Sequence, residues 1–220
     1  VKLKLVERFL LSAGGCAVNT AACLRRLGKD VRVLGKVGQD LFGDFVLRDL
    51  DRLGIDASSV KRSPTHPTSG TFILNVRGED RRYIHLIGAN ADFSTEDINL
   101  ASLDGARVLH VGGYLSMPKF GSPDLTYLFR EAKKRSLKTV LDVMVAAGRP
   151  VSLREIETVL PYTDVFLPND DEARMLTGSD DPLTQADRFA ELNPKCTILI
   201  TLGSRGVRAR RGDEVLRVGI

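Results

Sequence analysis

The sequence predicts an α/β protein: a doubly wound, mostly parallel sheet carrying a small antiparallel β insertion. Two observations point there. Short aliphatic runs alternate with segments of helical apolar spacing from residue 17 to residue 202, the rhythm of βαβ units. A hairpin pattern between residues 70 and 87 breaks that rhythm and has no place inside a parallel core. Composition allows such a fold. The 220 residues are 43% hydrophobic and 27% charged, as in ordinary globular proteins. A chain of this length buries a sizeable core without metal or disulfide support. Aromatics are 6% with no Trp, so that core is aliphatic.

Each element follows from local pattern. Leu3, Leu5, Glu7 and Phe9 alternate with Lys2, Lys4, Val6 and Arg8, which suggests a strand over 1–11 able to pair with the hairpin. Val18, Ala21, Ala22, Leu24 and Leu27 recur at helical spacing, and Gly28 is a fit stop. Val31–Gly35 reads as a buried parallel strand. Asp40 caps a helix carrying Leu41, Phe45, Val46, Leu50 and Leu53, ended by Gly54. Gly70–Val76 and Arg82–Ile87 form the hairpin. Strands at 107–111, 138–143, 164–167 and 196–202 then alternate with helices at about 123–136, 152–160, 170–176 and 182–192. Val207–Arg211 and Glu214–Val218 close the chain as a second hairpin around Gly212-Asp213.

Several function classes are disfavoured. The 32 Lys+Arg against 28 Asp+Glu leave a net charge of only +4. The basic clusters at 130–135 and 205–211 lack the interleaved aromatics of a nucleic-acid groove and read as solvated faces. No apolar stretch approaches the ~20 residues of a membrane span. Cys16, Cys23 and Cys196 are odd in number and form no C-x-x-C pair, which argues against a disulfide framework or zinc site and for a reducing cytoplasm. No P-loop, G-x-G-x-x-G fingerprint or G-x-S-x-G elbow occurs. His66, His85 and His110 show no metal-ligand spacing.

Three stretches carry candidate chemistry. Gly14-Gly15-Cys16-Ala17-Val18-Asn19 puts two glycines before a helix, where backbone approaches a ligand closely and Asn19 offers a donor and an acceptor to hydroxyls. A plain tight turn explains it equally. Pro168-Asn169-Asp170-Asp171-Glu172 follows an apolar strand and opens a helix. It reads as a capping box, and also as a carboxylate near a metal-bound phosphate. Thr201-Leu202-Gly203-Ser204-Arg205-Gly206 supplies turn glycines, and equally free N–H groups and a hydroxyl for a nucleotide. Gly35-Lys36-Val37-Gly38-Gln39-Asp40-Leu41-Phe42-Gly43 reads as mainly structural.

In this order and spacing, these stretches resemble the PfkB carbohydrate kinase family, and the expected fold is ribokinase-like. The span from Gly14-Gly15 and Asn19 to Gly35 and Gly38 is similar to the family's first signature. Pro168–Ala173 with Leu176-Thr177-Gly178 is similar to its N-x-x-E motif, and Thr201–Gly206 to its nucleotide-strand motif. Thr68-Ser69-Gly70-Thr71 and Gly88-Ala89-Asn90 fit its two lid strands. The resemblance implies phosphoryl transfer from ATP, with Mg2+, to a sugar hydroxyl. It gives Gly14, Gly15, Asn19 and, more weakly, Asp142 to the sugar. Asn169, Glu172, Thr201, Gly203 and Gly206 go to the nucleotide, and Glu172 to the metal. It implies a lid near residues 1–13 and 58–90, through which two copies pair as a homodimer. Partners are then a sugar and ATP, with no nucleic acid and no membrane.

Two family features fall outside the sequence: a first strand with a sugar-binding Asp, expected before Val1, and a glycine-rich segment with the general-base Asp, expected after Ile220. Residues 1–220 are therefore expected to be one incomplete domain, inactive and poorly folded on their own. A non-catalytic sugar- or nucleotide-binding relative of the same fold is the alternative.

Overall fold

The computed structural model describes residues 7–76, 78–79, 82–146 and 148–219. Helix α1 (Cys16–Arg26) opens the fold and runs into a short parallel pair, β1 (Arg32–Gly38) and β2 (Asp56–Ser63), joined through α2 (Leu41–Arg52). A hairpin follows, β3 (Gly70–Leu74) with β4 (Arg82–Leu86). Three 3₁₀ turns between residues 88 and 103 lead into β5 (Val108–Tyr114), α3 (Ser122–Lys134), β6 (Lys138–Val143), β7 (Val165–Phe166), α4 (Asp170–Thr177), α5 (Pro182–Leu192), β8 (Thr197–Thr201), β9 (Val207–Arg211) and β10 (Glu214–Val218).

These last strands make one six-stranded sheet in the order β10-β9-β8-β7-β6-β5. β5 to β8 are parallel, while β9 and β10 fold back antiparallel. The four parallel strands thus point their carboxyl ends at one rim, where open α/β sheets bind ligands. The main core lies along this sheet. Leu141, Phe166, Ile198 and Ile200 on the strands pack with Leu125, Phe129 and Phe189 from the helices, all fully buried. Phe166 and Phe189 meet edge to face at 4.9 Å. A smaller core of Ala21, Val33, Leu50 and Ile55 joins α1 and α2 to β1 and β2.

The helix starts behave as their sequences direct. Asp40 caps α2 by accepting from Gly43 N at 2.8 Å. Asp181 caps α5 by accepting from Leu183 N and Thr184 N. Gly178 ends α4 at φ +72°, a conformation glycine adopts without strain.

Four expectations differ. Residues 7–13 carry no strand: Phe9, Leu10 and Leu11 are exposed, and alternation without a partner edge does not fix a strand; 1–6 lie outside the described residues. Val31–Gly35 does lead to a parallel strand, but β1 pairs with β2, not with the main sheet. The helix expected over 152–160 is two 3₁₀ turns, Leu153–Glu155 and Leu160–Tyr162. Bonds from Ile156 N to Leu153 O and from Tyr162 N to Val159 O, both 3.0 Å, close tight three-residue turns, and Pro161 has no N–H to carry an α-helix through it. Gly88-Ala89-Asn90 forms a 3₁₀ turn after β4 and is not part of the strand.

The hairpin is fixed at its base. Thr68 N and Oγ1 donate to the Asp40 carboxylate at 2.7 and 2.6 Å, and Thr68 Oγ1 accepts from Gly38 N at 2.8 Å. Backbone approach is so close that a Cβ on Gly88 would lie 2.5 Å from Pro67 O. Beyond this base, Phe72, Ile73, Tyr83 and Ile84 are all exposed.

Candidate functional site

The site is built where the parallel strands end. Gly15, at φ +90°, turns the chain into α1, and no side chain caps this helix. The first-turn amides of Cys16, Ala17 and Val18 are therefore not taken up by a capping side chain, the usual state of a helix start open to a polar ligand. Asn19 stands exposed one turn into the helix, beside Gly14: a Cβ there would lie 3.9 Å from Asn19 Oδ1.

Asp142, next to last in β6, is half-buried and accepts from Gly113 N at 3.3 Å. Burial raises its carboxyl above the ordinary value, against the opposing pull of Gly113 and Cys16. The Cys16 thiol is raised too, first by burial and then by the Asp142 charge, with Glu172 adding to it. Glu172 sits in the same electrostatic neighbourhood. Burial first, then Asp142 and Asp171, push it from an ordinary 4.5 to about 7, although the Asn169 and Val145 backbone amides favour its charged form. Among the described residues neither Asp142 nor Glu172 has an ion-pair partner. Two half-buried carboxylates, near enough for the charge of one to raise the other and neither ion-paired among the described residues, are what a cationic ligand would stabilise.

The capping box at α4 is real. Glu172 N donates to Asn169 Oδ1 at 2.8 Å, and Asn169 N donates to Glu172 Oε2 at 2.9 Å. Asn169 in turn forms a parallel bridge with Thr201, and Thr201 N donates to Pro168 O at 3.1 Å. Arg205 ties the next turn to α4 through Asp170 at 2.6 Å. Gly203 is open, at φ +57° with nothing near its missing Cβ. Gly206 is different: a Cβ would strike Val218 O at 1.9 Å, so closeness to β10 already accounts for this glycine.

The sequence-named residues thus share one rim. Gly14, Gly15 and Asn19 lead through Cys16 to Asp142 and Glu172, and from Asn169 to Thr201 and Gly203. Sequence reasoning missed Cys16 and the Gly112-Gly113 pair that packs on it; a Cβ on Gly112 would lie 3.0 Å from Cys16 Cβ. A glycine pair directly after an apolar strand was the available signal. Among the described residues no group of three or more His, Cys, Asp or Glu is arranged to hold a metal. Two open surface hollows lie elsewhere, one along α2 beside Arg62 and one between α1 and α2, and no site residue lines either. No helix among the described residues is long and apolar enough to cross a membrane.

Residues 1–219 match the profile of the pfkB family carbohydrate kinases. The chain belongs to that family. Among pfkB relatives, it is 30% identical to the ribokinase of Staphylococcus aureus over 199 residues, covering 88% of this chain and 62% of that one. It is 28% identical to a deoxyribokinase of Salmonella typhi over 218 residues, covering 96% and 67%. The chain therefore spans roughly two thirds of the relatives it matches. A solved ribokinase from Giardia lamblia superposes with a TM-score of 0.78 at 24% identity, over all of this chain and 71% of that one. An Arabidopsis thaliana ribokinase solved with ribose and ATP gives 0.74 at 21%, covering 94% and 66%. The pfkB fold is thus the ribokinase-like, doubly wound α/β fold expected from the sequence.

Proposed function

We propose that the chain forms the greater part of a sugar kinase site that transfers the terminal phosphoryl group of ATP to a sugar hydroxyl. The carrying observation is the pair Asp142 and Glu172, both half-buried, with the Asp142 charge raising Glu172 and neither carboxylate ion-paired among the described residues, between an uncapped helix start and a turn with free backbone. The similar ribokinase bound to ribose and ATP supports the ligand classes.

In this reading Gly14 and Gly15 let the backbone approach a polyol, and Asn19 binds its hydroxyls by donating and accepting. Glu172, Asn169, Thr201 and Gly203 take the nucleotide side. Gly206 serves that side by shaping the turn. Mg2+ fits the donors present: it is commonly held by one or two carboxylates plus phosphate oxygens and water, so Glu172 with Asp142 nearby suffices without a three-ligand cage. Bound there, it would neutralise phosphate charge. Phosphoryl transfer asks the protein mainly for positioning and charge stabilisation, which these residues supply. No residue here is assigned as general base.

The β3–β4 hairpin serves as a lid that excludes water from the acceptor. Its apolar pairs Phe72–Ile84 and Ile73–Tyr83, exposed here, suit a homodimer through the lid. Three free cysteines suit a cytoplasmic location.

Calorimetric titration of the chain with MgADP, D-ribose, D-fructose and 2-deoxy-D-ribose tests the reading. Binding of MgADP and at least one sugar is expected. Coupled ADP release with the sugar that binds then reads phosphoryl transfer. Absence of both sugar and nucleotide binding would overturn the proposal.

A further inference from the structure

Ser116 N donates to Gly113 O at 3.2 Å and closes a four-residue turn at the end of β5. The third residue of this turn is Leu115, at φ +79° and only 3% exposed. A turn with positive φ at that position ordinarily takes Gly or Asn, because an L side chain there is strained. Such strain persists only where surrounding contacts over-determine it, and it collects at functional sites.

The contacts are visible. Arg149 Nη1 donates to the Leu115 carbonyl. Ser116 Oγ donates to Gly113 O at 2.5 Å, and Met144 N donates to Tyr114 O at 2.8 Å. The turn in turn presses on the rim. A Cβ on Gly113 would lie 3.1 Å from Cys16 Sγ, and Gly113 N holds Asp142.

We propose that Arg149 is a positioning residue for the acceptor side. By binding the Leu115 carbonyl it holds the Gly113–Ser116 turn in its left-handed form. That keeps Gly112 and Gly113 against the Cys16 loop and the Gly113 amide on Asp142. The proposal rests on the reading of Gly14–Asn19 and Asp142 as the acceptor site. Arg149 lies 34 residues from Leu115 in sequence and touches no proposed ligand itself, so it acts only through the turn.

Cys16 reports on the turn directly. In a Cys23→Ser background, thiol labelling by a disulfide reagent is followed at Cys16, with buried Cys196 as internal control. Arg149→Met is expected to raise the Cys16 rate by about fivefold or more through local opening, while Cys196 and the far-UV circular dichroism stay unchanged. Arg149→Lys, which still donates, is expected to restore the rate to within about twofold of the parent. Arg149→Gln is made alongside should the Met variant not fold, and a smaller rise is expected. An unchanged Cys16 rate, or equal acceleration at Cys16 and Cys196, would overturn the proposal. Protection of Cys16 by D-ribose or D-fructose in the parent tests the acceptor reading separately. A sugar that binds by calorimetry should protect Cys16 in the parent and less so in Arg149→Met.

Discussion

Thr68→Val isolates the joint that fixes the hairpin. Valine keeps the shape of Thr68, which is 6% exposed, and removes its hydroxyl. Two bonds vanish: the 2.6 Å donation to the Asp40 carboxylate and the 2.8 Å acceptance from Gly38 N. The first is charge-assisted and worth about 1.5–3 kcal/mol; the second leaves a buried N–H without a partner, which costs about 1–3 kcal/mol. Asp40 keeps Thr68 N and Gly43 N, so the total should fall near 3 kcal/mol. Thr68→Ser keeps both bonds and loses one methyl group, about 1 kcal/mol. Urea unfolding followed by circular dichroism reads both differences. For a chain of this size the Val variant should melt roughly 6–12 °C lower than the parent. Should Val cost no more than Ser, volume and not hydrogen bonding would hold this joint, and the reasoning would be wrong.

Glu172 gives a pH dependence of definite sign. Its folded value, about 7, lies above the ordinary 4.5, so the folded chain keeps a proton that the unfolded chain releases between those values. Its contribution favours folding on the acid side and is lost as pH rises through about 7. Glu172→Gln should therefore stabilise the unliganded chain at pH 8 by about 1–2 kcal/mol, with no gain near pH 4, in paired thermal melts. MgADP affinity should rise through the same window in the parent and stay flat in the variant. Gly206→Ala should lower stability by about 3 kcal/mol or more, because its Cβ would meet Val218 O at φ +87°; Gly203→Ala, in open space, should cost about 1–2 kcal/mol. Equal melting points for those two variants would show that the Gly206 contact is not what fixes the turn.

Local signals in the sequence carried much of the fold. Asp40 before an amphipathic run, the Asn169–Glu172 box and Gly178 marked helix ends because capping is decided within four residues. Strand β2 escaped, since Asp56–Ser63 is mostly polar and half-exposed and is held by pairing with β1. The 152–160 segment misled for a physical reason. Ile156, Val159 and Leu160 are fully buried at helical spacing, yet successive turns present the same face without a continuous helix. How strands divide between sheets is equally non-local, so nothing in Val31–Gly35 tells that β1 stands apart.

The candidate site was legible as three separate loops. Their meeting was not, because Cys16, Gly113, Asp142 and Glu172 are brought together only by the strand order. The strained Leu115 had no sequence mark: a bulky side chain is rare at a positive φ, so nothing in the sequence points to it. Gly206 carried a motif whose glycine the structure explains by contact with Val218.

The most direct measurement is a calorimetric comparison of Asn19→Ala and Glu172→Gln against the parent, each titrated with MgADP and with the sugar the parent binds. Two half-sites on one rim predict a crossed result. Asn19→Ala should lose sugar affinity by about tenfold and keep MgADP, while Glu172→Gln should do the reverse. If both variants weaken both ligands alike, or neither ligand responds, these loops do not hold a polyol beside a nucleotide.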